Sequence, residues 1–131
     1  MTLAEIRDWL LSLEAADSAT IGRLDGSAEK TLAVLDRGGR GAPVTALGGL
    51  QCSSYGVKDV SLLLRWNRNA NETERAAARL WDAVRGAAHV DLPGGGHIQF
   101  IRPLVPGPVP LNADESGVYE YRIEISIYYR R

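Results

Sequence analysis

Two histidines are the residues best suited by type to metal binding or proton transfer. His89 and His97 lie eight positions apart across Gly94-Gly95-Gly96, so a hairpin could bring their imidazoles together. A metal site needs further ligands, and Asp91 is the only near candidate. Neither histidine forms a nucleophile, base and orienting group with a serine or with Cys52. We therefore expect ordinary hydrogen-bonded surface histidines, with no metal and no catalytic centre.

Paired carboxylates and glycine-rich loops would be the other signs of catalysis or phosphate binding. Glu120 and Glu124 share one face of a predicted strand, but four strand residues separate them by about 13 Å, too far for a typical catalytic pair. Gly39-Arg40-Gly41 and Gly94-Gly95-Gly96 lack the Gly-Lys-Ser/Thr ending of a phosphate-binding loop. The sequence therefore predicts no enzymatic activity and no cofactor.

A basic cluster surrounds one predicted strand and the helix after it, and consists of Arg65, Arg68, Arg75 and Arg79. Trp66 lies among these arginines, so an RNA- or DNA-binding face is one interpretation. The spaced aromatic residues of a single-strand binder are missing from this stretch, and acidic residues are interspersed in it. The formal net charge of -1 provides no global attraction to nucleic acid or to an anionic membrane. We favour a solvated helix face.

Length and composition indicate a single domain over residues 1–131. Hydrophobic residues make up 45% and charged residues 24%, as is usual for a globular protein. The single cysteine excludes an intramolecular disulfide. No apolar run approaches 18 residues, so we expect no transmembrane helix. The first residues include an acidic one and lack a basic stretch, so we expect no signal peptide.

Apolar residues at helical spacing predict two helices. The first covers Thr2–Leu13, with Thr2 as its N-cap. The second runs from about Glu72 to Arg85, with Asn71 as its N-cap and Gly86 as its end.

The strongest strand signal is the stretch Val118–Arg131. Tyrosines and isoleucines occupy its odd positions, and mostly charged residues occupy its even positions. Because side chains on a strand point to opposite faces in turn, one face should be buried and the other exposed to water. We expect this strand to lie in the middle of the sheet.

Shorter alternating runs predict the other strands, which are Thr20–Leu24, Thr31–Leu35, Val57–Trp66, His89–Leu92 and His97–Arg102. An Asp25-Gly26 turn should make the first two of them a hairpin. Ile98 and Phe100 should share one face. The four prolines from Pro103 to Pro110 exclude a central strand and predict a stiff, extended connector.

Together these elements predict an α+β domain: one mainly antiparallel or mixed β-sheet, with two helices packed on one face. A glycine-rich segment interrupts the first half of the chain and begins with Arg37, Gly38, Gly39, Arg40 and Gly41. Because glycine loses most entropy on ordering, this segment should be a mobile surface loop.

Several stretches resemble small phage minor capsid and tail terminator proteins. They are Val60–Trp66, Asn71–Glu74 followed by Ala77–Val84, and the ending Gly117–Arg130. In that family a strand leads into a helix, a proline-containing connector follows, and the chain closes on a strand ending in a tyrosine–arginine sequence. Length and element order agree over nearly the whole chain, so the resemblance implies a tail-terminator-like fold.

The resemblance implies a non-enzymatic virion protein of a phage or prophage. Proteins of this kind assemble as a ring, usually a hexamer, on the end of a siphophage tail tube, where they stop tail polymerisation and offer a surface to the head connector. The implied partners are other copies of the chain, the tail tube protein and the head-connector protein. The implied location is the head–tail junction of the virion, after synthesis in the host bacterial cytoplasm.

The candidate subunit interface is the charged face of the last strand, which carries Glu120, Arg122, Glu124 and Arg130. A ring needs a heterologous interface, and alternating charges could set its register. The loop Arg37–Gly41 could order on docking. Direct nucleic-acid binding is not expected in this interpretation.

Three alternatives stay open. One is another minor virion protein of the same fold. A second is a small ligand-binding or regulatory α+β domain with glycine loops lining a pocket. The third is a nucleic-acid-binding domain that uses the Arg65–Arg79 face.

Overall fold

Two helices and seven strands form the described part of the chain. The structure, a computed structural model, describes residues 1–38 and 55–130. In chain order the elements are α1 (Leu3–Ser12), β1 (Ser18–Ile21), β2 (Thr31–Asp36), β3 (Tyr55–Arg65), α2 (Ala70–Arg85), β4 (Ala88–Asp91), β5 (His97–Pro103), β6 (Val109–Leu111) and β7 (Glu120–Arg130). The sheet order is β1-β2-β3-β7-β5-β4, and β6 also pairs with β7. The predicted α+β class with a mixed sheet is confirmed.

Strand β7 is the centre of the sheet, as its alternating pattern predicted. It pairs antiparallel with β3 along its whole length, from Glu120 opposite Arg65 to Arg130 opposite Tyr55. On its other side it pairs with β5 and β6. Ile123, Ile125 and Ile127 are buried in one hydrophobic core with side chains of both helices. The apolar half of the alternation is therefore the helix-facing side of the sheet.

Asparagine and threonine side chains begin the two helices. Thr2 Oγ1 accepts a hydrogen bond from the Glu5 amide at 3.2 Å, as predicted for α1. The predicted N-cap Asn71 of α2 is wrong, because Asn69 Oδ1 accepts from the Glu72 amide at 3.1 Å. Asn67 Oδ1 accepts from the Asn69 amide at 2.9 Å, which holds Asn69 in the extended conformation of a cap.

The predicted hairpin of the first two strands is wrong, since β1 and β2 are parallel. Residues 22–30 carry the chain back along the sheet before β2 begins. Gly22, at φ +81°, turns the chain out of β1. The Asp25 carboxylate accepts from the amide and the hydroxyl of Ser27, so the Asp25-Gly26 signal marks a local turn within this connection.

A β-bulge in β5 overturns the prediction that Ile98 and Phe100 share a face. Ile98 lies opposite Tyr129, whereas Phe100 lies opposite Tyr128, so Gln99 is an extra residue on this strand. The extra residue reverses the alternation after it. Ile98 consequently enters the core, and Phe100 projects from the other face.

After Pro103, the proline-rich segment supplies only an edge strand. β6 pairs with β7 alone, and Pro110 lies opposite Tyr121. Since proline has no amide hydrogen to donate, an edge is where it is tolerated in a sheet. The prediction that this segment contains no central strand is confirmed after Pro103, whereas Pro103 itself is the last residue of β5, which lies between β4 and β7.

Candidate functional site

The sheet face opposite α1 and α2, here called the second face, is the candidate functional surface. Odd positions of β3 and even positions of β7 point to this side, because the opposite set enters the core. The second face therefore carries all four predicted interface residues of β7. It also carries groups that the sequence did not single out.

Glu124 is the centre of a charge network on the second face. Its Oε2 lies 3.5 Å from Arg37 Nε, and its Oε1 lies 3.6 Å from Arg122 Nε. Ser61 Oγ donates to the same Oε1 at 3.4 Å. Arg37, from the predicted docking loop, therefore lies next to the predicted interface residue Glu124. Of that loop, Gly39, Arg40 and Gly41 lie outside the described residues.

Arg122 is incompletely paired within the described part of the chain. Its side chain is partly exposed, but its Nε is buried and finds no hydrogen-bond acceptor there. Glu124 Oε1, 3.6 Å away, is an ion-pair partner of this Nε but lies beyond hydrogen-bond distance. Arg130, the fourth predicted interface residue, is exposed near the carboxylate of Asp91.

Glu120 belongs to a buried ionic cluster at the other end of β7. Arg65 is only 3% exposed, and its Nε and Nη2 donate to Asp114 Oδ2 at 3.0 and 2.8 Å. Its Nη1 donates to the carbonyl of Ala28. Glu120 Oε1 lies 3.9 Å from Arg65 Nε. Burial raises the pKa of Glu120, and the nearby Asp114 carboxylate raises it further.

This cluster removes Arg65 from the basic face considered in the sequence. A buried guanidinium with carboxylate partners is unavailable to a phosphate. Arg68, Arg75 and Arg79 are exposed. The Arg79 guanidinium lies 5.9 Å from the Trp66 ring centroid, and Lys30 Nζ lies 5.7 Å from it, so the indole is engaged by cations of the same chain.

Asp59 and Ser126 form a buried polar pair in the middle of the second face. Ser126 Oγ donates to Asp59 Oδ1 at 2.5 Å, and the two residues lie opposite each other on β7 and β3. The alternating pattern of the last strand had placed Ser126 on the face exposed to water. Since both are buried, the middle of the second face is less open to water than the pattern predicted.

An aromatic patch, formed by Tyr55, Phe100 and Tyr128, lies across three adjacent strands of the second face. The Phe100 and Tyr128 rings stack with centroids 4.3 Å apart and planes inclined by 13°. The Tyr55 centroid lies 6.1 Å from that of Tyr128. Sequence reasoning missed this patch because the three residues are far apart in the chain and the Gln99 bulge reverses the face of Phe100. The tyrosine at position 128 was the one local signal of it.

The two histidines meet across the β4–β5 hairpin, as their spacing implied. Their ring centroids are 6.1 Å apart, and His97 Nδ1 lies 2.8 Å from Asp91 Oδ1. This hydrogen bond holds the pKa of Asp91 below its ordinary value. Within residues 1–38 and 55–130, no group of three histidine, cysteine or acidic residues is placed to hold a metal ion. Cys52 lies outside these ranges.

No family model matches the sequence, and no curated protein matches it either. Neither of the two described helices is long and apolar enough to cross a membrane.

Proposed function

We propose that this protein is a structural virion protein of a phage or prophage that forms a ring on the end of the tail tube. The ring caps the tube and joins it to the head connector, as a tail terminator or a related minor capsid protein does. The partners in this proposal are other copies of the chain, the tail tube protein and the head-connector protein.

The observation that carries the proposal is the composition of the second face. Both described helices lie on the other side of the sheet, and Tyr55 and Phe100 are each 47% exposed on this one. Exposed aromatic residues and arginines are enriched at protein–protein interfaces. An assembling protein needs such a surface, whereas an isolated monomer gains nothing from it.

The first experiment measures assembly directly. Purified full-length protein would be examined by size exclusion with light scattering, by negative-stain microscopy, and by co-sedimentation with tail tubes. We expect rings, either free in solution or at the ends of tubes. Protein that stays monomeric at high concentration and also fails to bind tubes would contradict the proposal. Oligonucleotide binding that weakens steeply with salt would favour the nucleic-acid-binding alternative instead.

Removal of one charge tests the predicted interface. Arg122→Gln deletes the guanidinium that lies beside Glu124 and lacks a full set of acceptors. We expect an unchanged melting temperature within about 2 °C and ring assembly weakened about tenfold or more. Arg75→Gln, on an exposed position of α2, is the matched control and should assemble normally. If Arg122→Gln unfolds the protein, the charged face has a structural role instead.

A further inference from the structure

The aromatic patch is uncovered on the side that faces β4. One face of the Phe100 ring is covered by Tyr128, which stacks on it. On the neighbouring strand β4, the residue opposite Phe100 is Ala88, whose side chain is a single exposed methyl group. β4 is the last strand of the sheet at this end. The row of rings is therefore accessible from the β4 side, within the part of the chain that the structure describes.

The surroundings of the patch are basic. Arg130 lies opposite Tyr55, and Arg102 lies opposite Ser126, so both exposed arginines project from the second face next to the rings. Of the acidic groups nearby, Asp59 accepts from Ser126, and Asp91 pairs with His97 and also lies near Arg130, which leaves Arg102 without an offsetting carboxylate among these groups. A surface that fits this patch should be apolar and carry negative charge.

Exposed apolar and acidic residues also lie at the opposite end of the sheet, on β1 and on the turn between α1 and β1. We call this surface the α1–β1 edge and define it by Leu13, Glu14, Asp17 and Ile21. Leu13 is 41% and Ile21 42% exposed, which makes them the other two markedly exposed large hydrophobic residues of the described chain. The exposed carboxylates of Glu14 and Asp17 follow Leu13 closely. Beyond Ile21, the charges of Arg23 and Asp25 offset each other.

We propose that the aromatic patch of one copy docks on the α1–β1 edge of the next copy, with Arg102 and Arg130 facing Glu14 and Asp17. This inference deepens the ring proposal and rests on it. The two surfaces differ, so the contact is heterologous and repeats from copy to copy. A heterologous contact either closes into a ring or continues as a filament, and a ring is what the proposed function requires.

Two variants of the full chain, each defective in one surface, test the head-to-tail contact. The patch variant carries Phe100→Ser and Arg102→Glu, and the edge variant carries Leu13→Ser and Asp17→Lys. We expect each variant alone to sediment as a monomer, with self-association at least about tenfold weaker than in the wild type. An equimolar mixture should form a dimer and no larger species, because one intact patch and one intact edge remain in it.

A control keeps this outcome interpretable. Arg75→Glu with Ala78→Ser changes an exposed face of α2 and should assemble as the wild type does. Circular dichroism melts of all three variants establish that they are folded. If a variant fails to fold, the single substitution Arg102→Glu or Asp17→Lys replaces it in the mixing experiment.

Several results would overturn the inference. Wild-type rings that persist in both variants would reject these two surfaces and leave the ring proposal standing. A mixture that stays monomeric would reject the head-to-tail pairing. Wild-type protein that shows no self-association at about 1 mM would reject docking between copies. Binding of fluorescein-labelled oligothymidylate that is lost in the patch variant would assign the patch to nucleic acid. Conversely, a dimer in the mixture without wild-type rings or tube binding would support the contact and reject the proposed function.

Discussion

At the scale of single residues, Gly56 is a position where the fold leaves no space for a side chain. It lies opposite Tyr129, and a Cβ at this glycine would be 2.5 Å from Tyr129 Cζ and 2.6 Å from its hydroxyl oxygen. The tyrosine ring thus packs directly over the backbone of β3. Displacing the ring would cost packing energy at the end of the central strand pair.

This close approach predicts a double-mutant cycle. Gly56→Ala should lower the free energy of unfolding by about 1 kcal/mol, because the ring of Tyr129 must move. In the Tyr129→Ala background the same change should be neutral or should stabilise by up to about 1 kcal/mol, since alanine orders more cheaply than glycine. Chemical denaturation of the four proteins measures the coupling. Gly107→Ala, with no atom within 4 Å of its new Cβ, is the control; equal costs in both backgrounds would refute the steric explanation.

Asp114 gives the second residue-level prediction. Its Oδ1 accepts from the amides of Ser116 and Val118, while its Oδ2 accepts from Arg65. The amide hydrogen bond from Val118 and the Arg65 guanidinium lower the pKa of Asp114. A carboxylate with a lowered pKa in the folded state stabilises the fold above its ordinary pKa, and this contribution is lost as the pH falls through the folded-state value.

Asp114→Asn should therefore lower the melting temperature at pH 7 by about 5 °C or more, because its single amide oxygen can accept either from Arg65 or from the Ser116 and Val118 amides, and its NH2 group would face the other donors. The difference from the wild type should shrink as the pH falls towards 3. Glu120 has the opposite pH dependence. Because its pKa is raised in the folded state, its contribution to the free energy of unfolding is greatest at low pH and decreases as the pH rises through the folded-state pKa. Melting temperatures from pH 3 to 7 test this, with Glu115→Gln in the same turn as the control. A pH-independent difference would contradict the assignment to Asp114.

At the scale of elements, the two predicted helices formed where their apolar periodicity placed them, and the start of α2 was the error. Three asparagines, at positions 67, 69 and 71, precede or begin this helix. Asparagine is a favoured N-cap residue, so each of the three could be the cap as far as the sequence shows. The hydrogen bond from the Asn69 amide to Asn67 selects Asn69 as the cap.

The two asparagines provide a matched pair of substitutions. Asn69→Ala should destabilise the protein by about 1 kcal/mol, because the Glu72 amide loses its acceptor. Asn71→Ala should change stability by less than about 0.5 kcal/mol, since Asn71 is an exposed residue within the first turn. Urea denaturation of both variants makes the comparison. A larger loss of stability for Asn71→Ala than for Asn69→Ala would show that Asn71 is the N-cap, as the sequence predicted.

Strand pairing was harder to predict than the strands themselves. Six of the seven described strands were recognised within a few residues of their observed bounds, whereas β6 was expected to be a connector and the parallel pairing of β1 with β2 was not foreseen. An Asp-Gly turn signal is local, whereas the direction of the next strand depends on where residues 22–30 find partners in the sheet. The Lys30 amide, for example, donates to the carbonyl of Trp66, which is far along the chain.

At the scale of the whole molecule, the fold depends on β7. This strand contributes three buried isoleucines and pairs with β3, β5 and β6. Without it, β3 and β5 would lose the strand that both pair with, and the core would lose these three isoleucine side chains. The sheet cannot close until β7 is in place.

Truncation before Tyr119 should therefore abolish cooperative folding. Circular dichroism should show no sigmoidal thermal transition for this variant, because no remaining strand can replace the pairing of β7. A shorter truncation that removes only positions 130 and 131 is the control, and it should melt within a few degrees of the full chain. A native-like cooperative melt of the longer truncation would show that the sheet forms without its central strand.

The sequence by itself determined the α+β class, both helices, the alternation of β7 and the exclusion of the prolines after Pro103 from the middle of the sheet. These properties follow from side-chain periodicity, caps and the missing proline donor, which act over a few neighbouring residues.

Only the tertiary structure decided what the second face contains. Register placed Ser126 against Asp59, a bulge turned Phe100 away from the core, and Arg65 became buried between Asp114 and Ala28. Each of these outcomes depends on partners tens of residues away, and one extra residue in a strand exchanges its two faces. The charged row of β7 was visible in the sequence; the aromatic patch beside it exists only once three distant strands lie side by side.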